Sequence, residues 1–396
     1  MGVWWRPLLP LGLVTTLVGL TGAFVGPFLP VFLAQILHAS PLQQATFLFL
    51  TPVAAVAVSS YIGRVSDRPG ARHRVLYIAA ACGMVGFALY AVLRQYMVLL
   101  AVSVTLVAVA GAIVPQIYAL GREIIERQAP SRVTMGMNAL RMMMSLAWAA
   151  GAPLGAFVIG LIDFNGLFIA TSMLHVVALA VVIMLRGGTG LRTHEETVTQ
   201  APPAPEELSR GRIAAITAAF VLLQSVTTLT VTVMPLYVSN DLRGDLSSAG
   251  IVLGLCATIE IPLMLVFGAM AARWPLRTLL LLGGGLGIAY CLATSLATNV
   301  WQLAAAQVLH ACYVCAISGL GISYFQGLMP SALGRASTLF SNVGRLAGMV
   351  SGLLFGLIAV VGYRYAYVGA LALAVAGTAL LALSTRRIAP TQAQAS

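Results

Sequence analysis

Residues 63–74 read Gly63-Arg64-Val65-Ser66-Asp67-Arg68-Pro69-Gly70-Ala71-Arg72-His73-Arg74, a short basic segment between two apolar runs, 44–62 and 75–93. Each run is about as long as the roughly 20 residues that an α-helix needs to cross a bilayer. Charged residues and glycine between two such runs are typical of a turn at the membrane surface. The segment therefore predicts two antiparallel membrane helices joined by a polar loop.

The rest of the chain repeats this pattern of long apolar runs and short basic loops. Of its 396 residues, 60% are hydrophobic and 8% are charged, whereas a soluble domain is about half apolar and a quarter charged. No globular core can bury that much apolar surface, so lipid must be the solvent for most of the chain. The composition excludes a soluble enzyme, a disordered chain and a secreted disulfide scaffold. The five cysteines all lie in apolar runs, where they are expected to be packing residues.

Twelve apolar runs have the length of a membrane helix. They are 9–36, 44–62, 75–93, 97–120, 134–160, 166–185, 212–238, 249–271, 278–296, 301–323, 338–360 and 366–384. We therefore expect an all-α integral membrane protein with twelve transmembrane helices. The Gly-, Pro- and Glu-containing segment 186–211 predicts a flexible cytoplasmic linker between an N-terminal six-helix bundle, 1–185, and a C-terminal one, 212–396.

The arginines orient these helices. All 22 basic residues are arginines; 17 fall on one side of the predicted membrane, three on the other, and Arg141 and Arg345 lie within runs. The positive-inside rule then places both termini in the cytoplasm. The formal net charge of +11 is expected to face anionic lipid headgroups and not nucleic acid.

The two halves resemble each other at an offset of about 200 residues. The matched segments are 29–33 with 234–238, and Asn138-x-x-Arg141 with Asn342-x-x-Arg345. Two six-helix bundles related by a pseudo-twofold axis, with a substrate site between them, describe an alternating-access transporter.

A few polar groups lie where the bilayer makes them costly, and these are candidate site residues. Glu260, the only mid-span carboxylate, is the candidate proton carrier, because burial and a nearby arginine shift a carboxyl pKa in opposite directions. The alternative is a structural ion pair between Glu260 and Arg141. Trp148 follows Arg141 by seven residues, nearly two helical turns, so both share a face. A guanidinium that binds hydroxyls and an indole that stacks on a C–H face suit a pyranose.

Other polar residues in the spans have two readings. Gln224, Thr227 and Thr228 of the seventh run and Gln307 of the tenth are polar enough to line a cavity, and equally suited to joining helices.

The loop 63–74 resembles the G-x-x-x-D-R-x-G-R-R loop of the major facilitator superfamily, with one extra residue before the arginine cluster. The resemblance implies a latch that closes the cytoplasmic side of a twelve-helix transporter. Its members here are Gly63, Asp67, Arg68, Gly70 and Arg72. The alternative is a solvated basic loop.

The fifth run contains Gly151-Ala152-Pro153-Leu154-Gly155, which resembles the G-x-P-x-G stretch in the fifth helix of major facilitator exporters. The alternative is an ordinary Gly/Pro kink of a membrane helix. The stretch favours export only mildly.

Glu123, Arg141 and Trp148 resemble the sugar site of lactose-permease-type major facilitators, which place a Glu on helix four and an Arg and a Trp on helix five. Those proteins also use a Glu on helix eight and a His on helix ten, which here are Glu260 and His310. They carry an acid one turn after that histidine, where this chain has Tyr313. Because of this departure, the resemblance does not identify the proton path. The stretches 115–123 and 145–148 resemble the bacterial sugar efflux transporter family. The implied substrate site is Gln116, Glu123, Asn138, Arg141, Trp148, Glu260 and His310.

The resemblance implies a monomeric exporter of sugars or glycosides in the bacterial inner membrane, driven by proton antiport, with no cofactor and no metal. Its partners are the sugar, protons and the lipid bilayer. The alternative is a multidrug efflux proton antiporter of the same fold, which would favour an aromatic and Met-lined cavity. A membrane receptor and a membrane enzyme are disfavoured, because the sequence has neither a signalling domain nor a nucleophile–base cluster.

Overall fold

The structure is a computed structural model that describes residues 8–66, 71–128, 133–188, 209–329 and 333–385. Twelve helices in this part of the chain are long and apolar enough to cross a membrane, which confirms the predicted all-α, twelve-span architecture. They are α1 (Leu8–Ile36), α2 (Pro41–Ser66), α3 (Ala71–Val92), α4 (Tyr96–Glu126), α5 (Val133–Leu161), α6 (Phe164–Gly188), α7 (Arg210–Asn240), α8 (Leu246–Ala271), α9 (Leu276–Ser295), α10 (Val300–Leu328), α11 (Leu333–Val361) and α12 (Tyr365–Thr385).

Most helices begin and end within a few residues of the predicted bounds, but α4 and α10 extend further than the apolar runs 97–120 and 301–323. The extra turns of α4 are polar, whereas those of α10, residues 324–328, are mostly apolar. In α4, the Arg122 guanidinium contacts the Glu126 carboxylate at 2.6 Å, an i,i+4 pair on an exposed helix face. Polar turns keep the backbone hydrogen bonds of a helix beyond the lipid. A prediction from hydropathy alone therefore places the end of the helix too early.

The helices pack as two six-helix bundles. Within the first bundle α1 packs on α5 and α6, and α3 packs on α6; within the second, α7 packs on α11 and α12, and α9 packs on α10 and α12. Each bundle contains a cluster of three aromatic rings on its first, third and sixth helices, with neighbouring ring centroids 4.8–6.1 Å apart in the first and 4.9–6.4 Å apart in the second. The rings are Phe32, Tyr90 and Phe168 in the first bundle, and Tyr237, Tyr290 and Tyr367 in the second.

The two bundles meet along two lines of close helix contact, which we call the seams. In the α5–α8 seam, a Cβ atom on Gly250 would lie 2.9 Å from the Ala152 carbonyl oxygen, and one on Gly254 would lie 3.0 Å from that of Ala149. Such distances leave no room for any side chain. Small residues spaced by four along a helix permit this backbone approach in membranes.

The α2–α11 seam repeats this geometry with the glycines on α11. A Cβ atom on Gly352 would lie 2.7 Å from the Leu48 carbonyl oxygen, and one on Gly348 would lie 3.4 Å from Cγ of Pro52. Gly356 continues the same face against Ala45. In both seams, therefore, glycines of the second bundle contact backbone or small side chains of the first.

Both seams lie toward one end of the molecule. They involve the first turns of α2 and α8 and the last turns of α5 and α11. We call this end the sealed end, and the other the arginine-rich end, where the described side chains include Arg74, Arg122, Arg210 and Arg273.

The seams do not continue to the arginine-rich end. Gly344 is one turn from Gly348, and Gly268 is four turns from Gly254, on the same helix faces as the seam glycines. Among the described residues, nothing lies within 4 Å of a Cβ atom placed on either glycine. In the part of the chain that the structure describes, the close contacts between the bundles therefore lie at the sealed end and do not continue to the arginine-rich end.

The Gly151–Gly155 stretch packs α5 against α1 within the first bundle and against α8 of the second bundle. Gly151 faces Ala23 and Leu20 of α1, and a Cβ atom on Gly155 would lie 3.3 Å from Cα of Phe24. Pro153 lies on the other side of the helix, with its Cδ atom 2.9 Å from the Cβ position of Gly254. The two glycines thus hold α5 on α1, and the proline belongs to the α5–α8 seam.

Candidate substrate site

Trp148 faces the space between the bundles. It lies one turn before both Gly151, which contacts α1, and Ala152, which contacts α8, so its side chain is directed between those two helices. Its ring lies beside α1, with Cζ2 3.5 Å from the Cβ position of Gly22. The residue is 38% exposed, so part of the indole is available to a ligand.

Glu260 lies on the arginine-rich side of the α5–α8 seam. Counted from the contact between Ala149 and Gly254, Glu260 is six residues further along α8, or about 9 Å. On antiparallel α5, Trp148 is within one residue of that contact, and the Arg141 backbone is eight residues, or about 12 Å, from it. The structure therefore places Glu260 at a depth between those of Trp148 and Arg141.

The Glu260 residue is half-buried on the side of α8 that faces α10. Its backbone carbonyl oxygen accepts a hydrogen bond from the Cys315 thiol of α10 at 3.5 Å. Cys256, one turn earlier on α8, contacts His310 of α10. Glu260 therefore lies on the side of α8 that packs against α10, beyond the end of the α5–α8 seam.

Glu123 lies near the arginine-rich end of α4. Gly121 of α4 faces Leu140 of α5, whose Cδ1 atom is 2.7 Å from the glycine's Cβ position. Glu123, two residues further and half-buried, therefore lies at about the depth of Asn138. The side chains of Arg72, Asn138 and Arg141 lie outside the described part of the structure, as do the surroundings of Gly63 and all of residues 67–70. The roles of these residues, and an Arg141–Glu260 pair, remain predictions.

Two sequence candidates are not on the gap in this conformation. Gln116 is 6% exposed inside the first bundle, and His310 is 1% exposed inside the second. The His310 ring stacks on that of Tyr290 at a centroid distance of 4.4 Å and an interplanar angle of 7°. A sugar between the bundles would not reach His310 without rearrangement of α8, α9 or α10.

A polar pair on the second bundle adds to the site. The Ser318 hydroxyl donates to Oε1 of Gln224 at 3.0 Å, joining α10 to α7, and both residues are half-buried. Ser318 lies in a π-helical turn, Cys315–Gly319, and a Cβ atom on Gly319 would have nothing within 4 Å. Such turns are frequent at functional sites. The sequence marks Gln224 as polar, but it has no signal for Ser318, because the π-turn that displays this hydroxyl is not readable from residue pattern.

Two of the three methionines after Arg141 pack against α1. Met143 and Met144 lie against Gly12 and Gly19 of α1, with the Met144 sulfur 2.8 Å from the Cβ position of Gly19. They are packing residues of the first bundle. The Met-lined cavity expected for a multidrug exporter therefore lacks these two members.

A family model matches most of this chain. The model of the Major Facilitator Superfamily matches residues 11–329 and, a second time, residues 218–396. The second match falls within the second bundle, in agreement with the internal repeat.

Curated proteins align over almost the full chain. A putative sugar efflux transporter of Deinococcus radiodurans is 31% identical over 388 residues, covering 96% of this chain and 98% of that protein. Sugar efflux transporter A of Dickeya chrysanthemi is 31% identical over 370 residues, covering 93% and 92%.

Solved structures share the fold at low identity. The POT family transporter PepTSo superposes with a TM-score of 0.80 at 10% identity, covering 97% of this chain and 98% of that one. The nucleoside transporter NupG superposes with a TM-score of 0.77 at 11% identity, covering 96% and 100%. These likenesses concern the arrangement of helices alone.

Proposed function

Because this chain belongs to the major facilitator superfamily and aligns along its length with proteins named sugar efflux transporters, we propose that it exports sugars or glycosides from bacterial cells by proton antiport. The membrane is the inner membrane, with both termini in the cytoplasm. The unit of transport is one chain, built from the bundles 1–185 and 212–396 with 186–211 as their linker.

The observation that supports this proposal best is the position of Trp148 and Glu260 relative to the seams. Both lie where the seams end and the bundles separate. A ligand entering from the arginine-rich end would meet them, while the seams block its exit at the sealed end. Under the positive-inside rule the arginine-rich end is cytoplasmic, so this is the conformation in which an exporter takes up its substrate. Transport then requires the seams to open and the arginine-rich end to close.

The groups around this space suit a hydroxyl-rich ligand. The Trp148 indole offers an apolar face to the C–H surface of a pyranose. The Gln224 amide retains donors, and the Ser318 oxygen retains acceptor capacity after donating to Gln224, so the pair matches a sugar diol in which one hydroxyl accepts and the next donates. The Arg141 guanidinium is proposed to bind further hydroxyls from α5.

Glu260 is the proposed proton carrier. Among the described residues it is the only carboxylate more than two turns from both ends of its membrane span. An ionised carboxylate accepts hydrogen bonds from sugar hydroxyls, and protonation removes that negative charge. Sugar and proton then compete for one group, which couples release of the sugar to uptake of a proton.

We expect Trp148→Leu to raise the KM for sugar export by about tenfold, because stacking on the indole is lost. Trp148→Phe should raise it less, and Trp301→Leu, which changes a tryptophan that is 83% exposed at the sealed end, should leave it unchanged. The measurement is uptake of a labelled thiogalactoside into everted membrane vesicles.

The same assay separates this proposal from multidrug export. Unlabelled sugars should compete with the labelled thiogalactoside, and a lipophilic cationic dye should not. Proton-driven movement of the dye without any sugar uptake would favour the drug exporter, and an unchanged KM for Trp148→Leu would remove the indole from the site.

A further inference from the structure

The indole of Trp148 lies along two glycines of α1. The position of a Cβ atom on Gly22 is 3.5 Å from Cζ2, 3.9 Å from Cε2 and 4.0 Å from Nε1 of the tryptophan, and that of a Cβ atom on Gly26 is 3.8 Å from Cη2. These four ring atoms form one edge of the indole. Trp148 as a whole is 38% exposed, so this edge rests on α1 and the rest of the ring is open to the gap between the bundles.

The two glycines form a depression on α1, which we call the glycine recess. Gly22 and Gly26 are one helical turn apart, so they lie one above the other on the helix. Just beyond Gly26, α1 is interrupted at residues 26–28, and the segment Leu29–Val31 that follows contacts α7 of the second bundle. The recess therefore lies next to a contact between the bundles, at the closed end of the gap.

The close approach of α1 to α5 involves other glycines. A Cβ atom on Gly19 would lie 2.7 Å from Cβ of Ala147. One on Gly151 of α5 would lie 2.4 Å from Cβ of Ala23. At these positions an added side chain would force the two helices apart. At Gly22, by contrast, the three nearest atoms all belong to the indole, so this position determines where the ring lies and not how closely the helices pack.

The recess has room for a methyl group but not for a branched side chain. A distance of 3.5 Å between carbon atoms is an ordinary van der Waals contact, so an alanine at position 22 fits against the ring. In a helix, the two methyl groups of a valine take the staggered positions that point away from the backbone. At position 22 they would occupy the space of the indole and displace its edge from α1.

We propose that Gly22 is a positioning residue for sugar binding, because the glycine recess holds the Nε1–Cη2 edge of Trp148 and so fixes the angle at which the indole meets a pyranose. The inference rests on the proposed function, in which this ring stacks on the sugar. Stacking depends on the distance and the angle between the ring and the C–H surface of the ligand. The recess sets both from the side opposite the ligand, before the ligand arrives.

Such preorganisation raises affinity without adding a contact to the sugar. An indole free to move in the gap would become ordered only when the sugar binds, and ordering a mobile side chain costs up to roughly tenfold in affinity. In this structure the ring is already held at its edge by α1. Loss of the recess is therefore expected to weaken binding and to leave the movement of the loaded transporter unchanged.

Substitutions at position 22 test this role in the vesicle uptake assay. Gly22→Val should raise the KM for a labelled thiogalactoside about tenfold at an unchanged maximal rate. Gly22→Ala should stay within about twofold of the wild-type KM, because its methyl group fits. Gly285→Val is the matched control: among the described residues nothing lies within 4 Å of a Cβ atom there, and its KM should not change. A wild-type KM for Gly22→Val would overturn the proposal.

A double variant separates an effect through the indole from an effect on helix packing. In Trp148→Phe the smaller ring lacks the atoms that rest on the recess. Gly22→Val should then raise the KM by less than about twofold relative to Trp148→Phe alone. An equal effect of Gly22→Val in both backgrounds would mean that position 22 does not act through Trp148, and the proposal would fail.

A further variant adds the bulk after the protein has folded. Gly22→Cys, treated with methyl methanethiosulfonate, gains a methylthio group on its sulfur as methanesulfinate leaves. The KM should rise about tenfold on treatment and recover on reduction, while the treated wild type, which has only the five native cysteines, should be unaffected. An unchanged KM in protein whose mass shows the modification would contradict the proposal.

A spectroscopic test needs no sugar. When the other four tryptophans are replaced by phenylalanine, emission reports on Trp148 alone. Gly22→Val should shift this emission to longer wavelength and increase its quenching by acrylamide, because the displaced ring is more exposed in the gap. An unchanged spectrum would show that the recess does not hold the ring. If the spectrum shifts as expected but the wild type takes up no sugar, the proposed function fails and the recess remains.

Discussion

Glu260→Gln is expected to abolish protonophore-sensitive accumulation of sugar in everted vesicles. Sugar–sugar exchange should persist at saturating sugar, with a raised KM because the neutral side chain binds sugar more weakly. The glutamine keeps the size and hydrogen-bonding capacity of the side chain but has no proton to exchange. Exchange needs only the movement of the loaded transporter, whereas net antiport needs the carboxyl to return protonated. The measurement is initial uptake of labelled sugar with and without a pH gradient.

A matched control is available on the surface. Glu126→Gln changes a carboxylate that pairs with Arg122 at the arginine-rich end and should leave both fluxes unchanged. If Glu260→Gln still builds a sugar gradient at the wild-type rate, Glu260 is not the proton carrier. If exchange and accumulation are both lost, Glu260 acts in sugar binding or in a structural ion pair with Arg141, and the antiport account loses its coupling group.

A disulfide across the α5–α8 seam should stop transport. A Cβ atom on Gly160 would lie 3.8 Å from the Ser247 hydroxyl oxygen, so the side chains of cysteines at these two positions would be neighbours across the seam. Gly160→Cys combined with Ser247→Cys is therefore expected to cross-link under mild oxidation and to hold the sealed end shut. Sugar transport should fall to background and return on reduction.

The single variants Gly160→Cys and Ser247→Cys are the controls, since the five native cysteines lie within the membrane spans, buried or half-buried. Cross-linking is followed by mass spectrometry of the peptides that contain the two positions. Full transport by the cross-linked protein would mean that the seams do not open during the cycle, which is incompatible with alternating access.

The fold was predictable from the sequence because the lipid bilayer restricts which structures can cross it. A bilayer requires long apolar helices, and the bias of the arginines and the internal repeat then limit their arrangement. The seams were not predictable. Gly250, Gly254, Gly348 and Gly352 are ordinary small residues of membrane helices until their partner helix is known, and only the structure identifies which backbone each one approaches.

The candidate site, too, was predictable only in part. Spacing alone put Arg141 and Trp148 on one helix face, and the structure places Trp148 on the gap between the bundles and Glu260 nearby in depth. His310 and Gln116 also lie on predicted membrane helices, but they face bundle interiors, since helix rotation depends on packing against neighbours that a single sequence does not specify. Ser318 lies in a π-helical turn, where its hydroxyl bonds to Gln224, and no residue pattern indicated this turn.

The most direct test of the central claim is uptake of labelled lactose or a thiogalactoside into energised everted membrane vesicles, with and without a protonophore. The account predicts accumulation against a concentration gradient that the protonophore abolishes. Absence of accumulation in energised vesicles that contain the protein, or accumulation that the protonophore does not affect, would contradict proton-coupled sugar export.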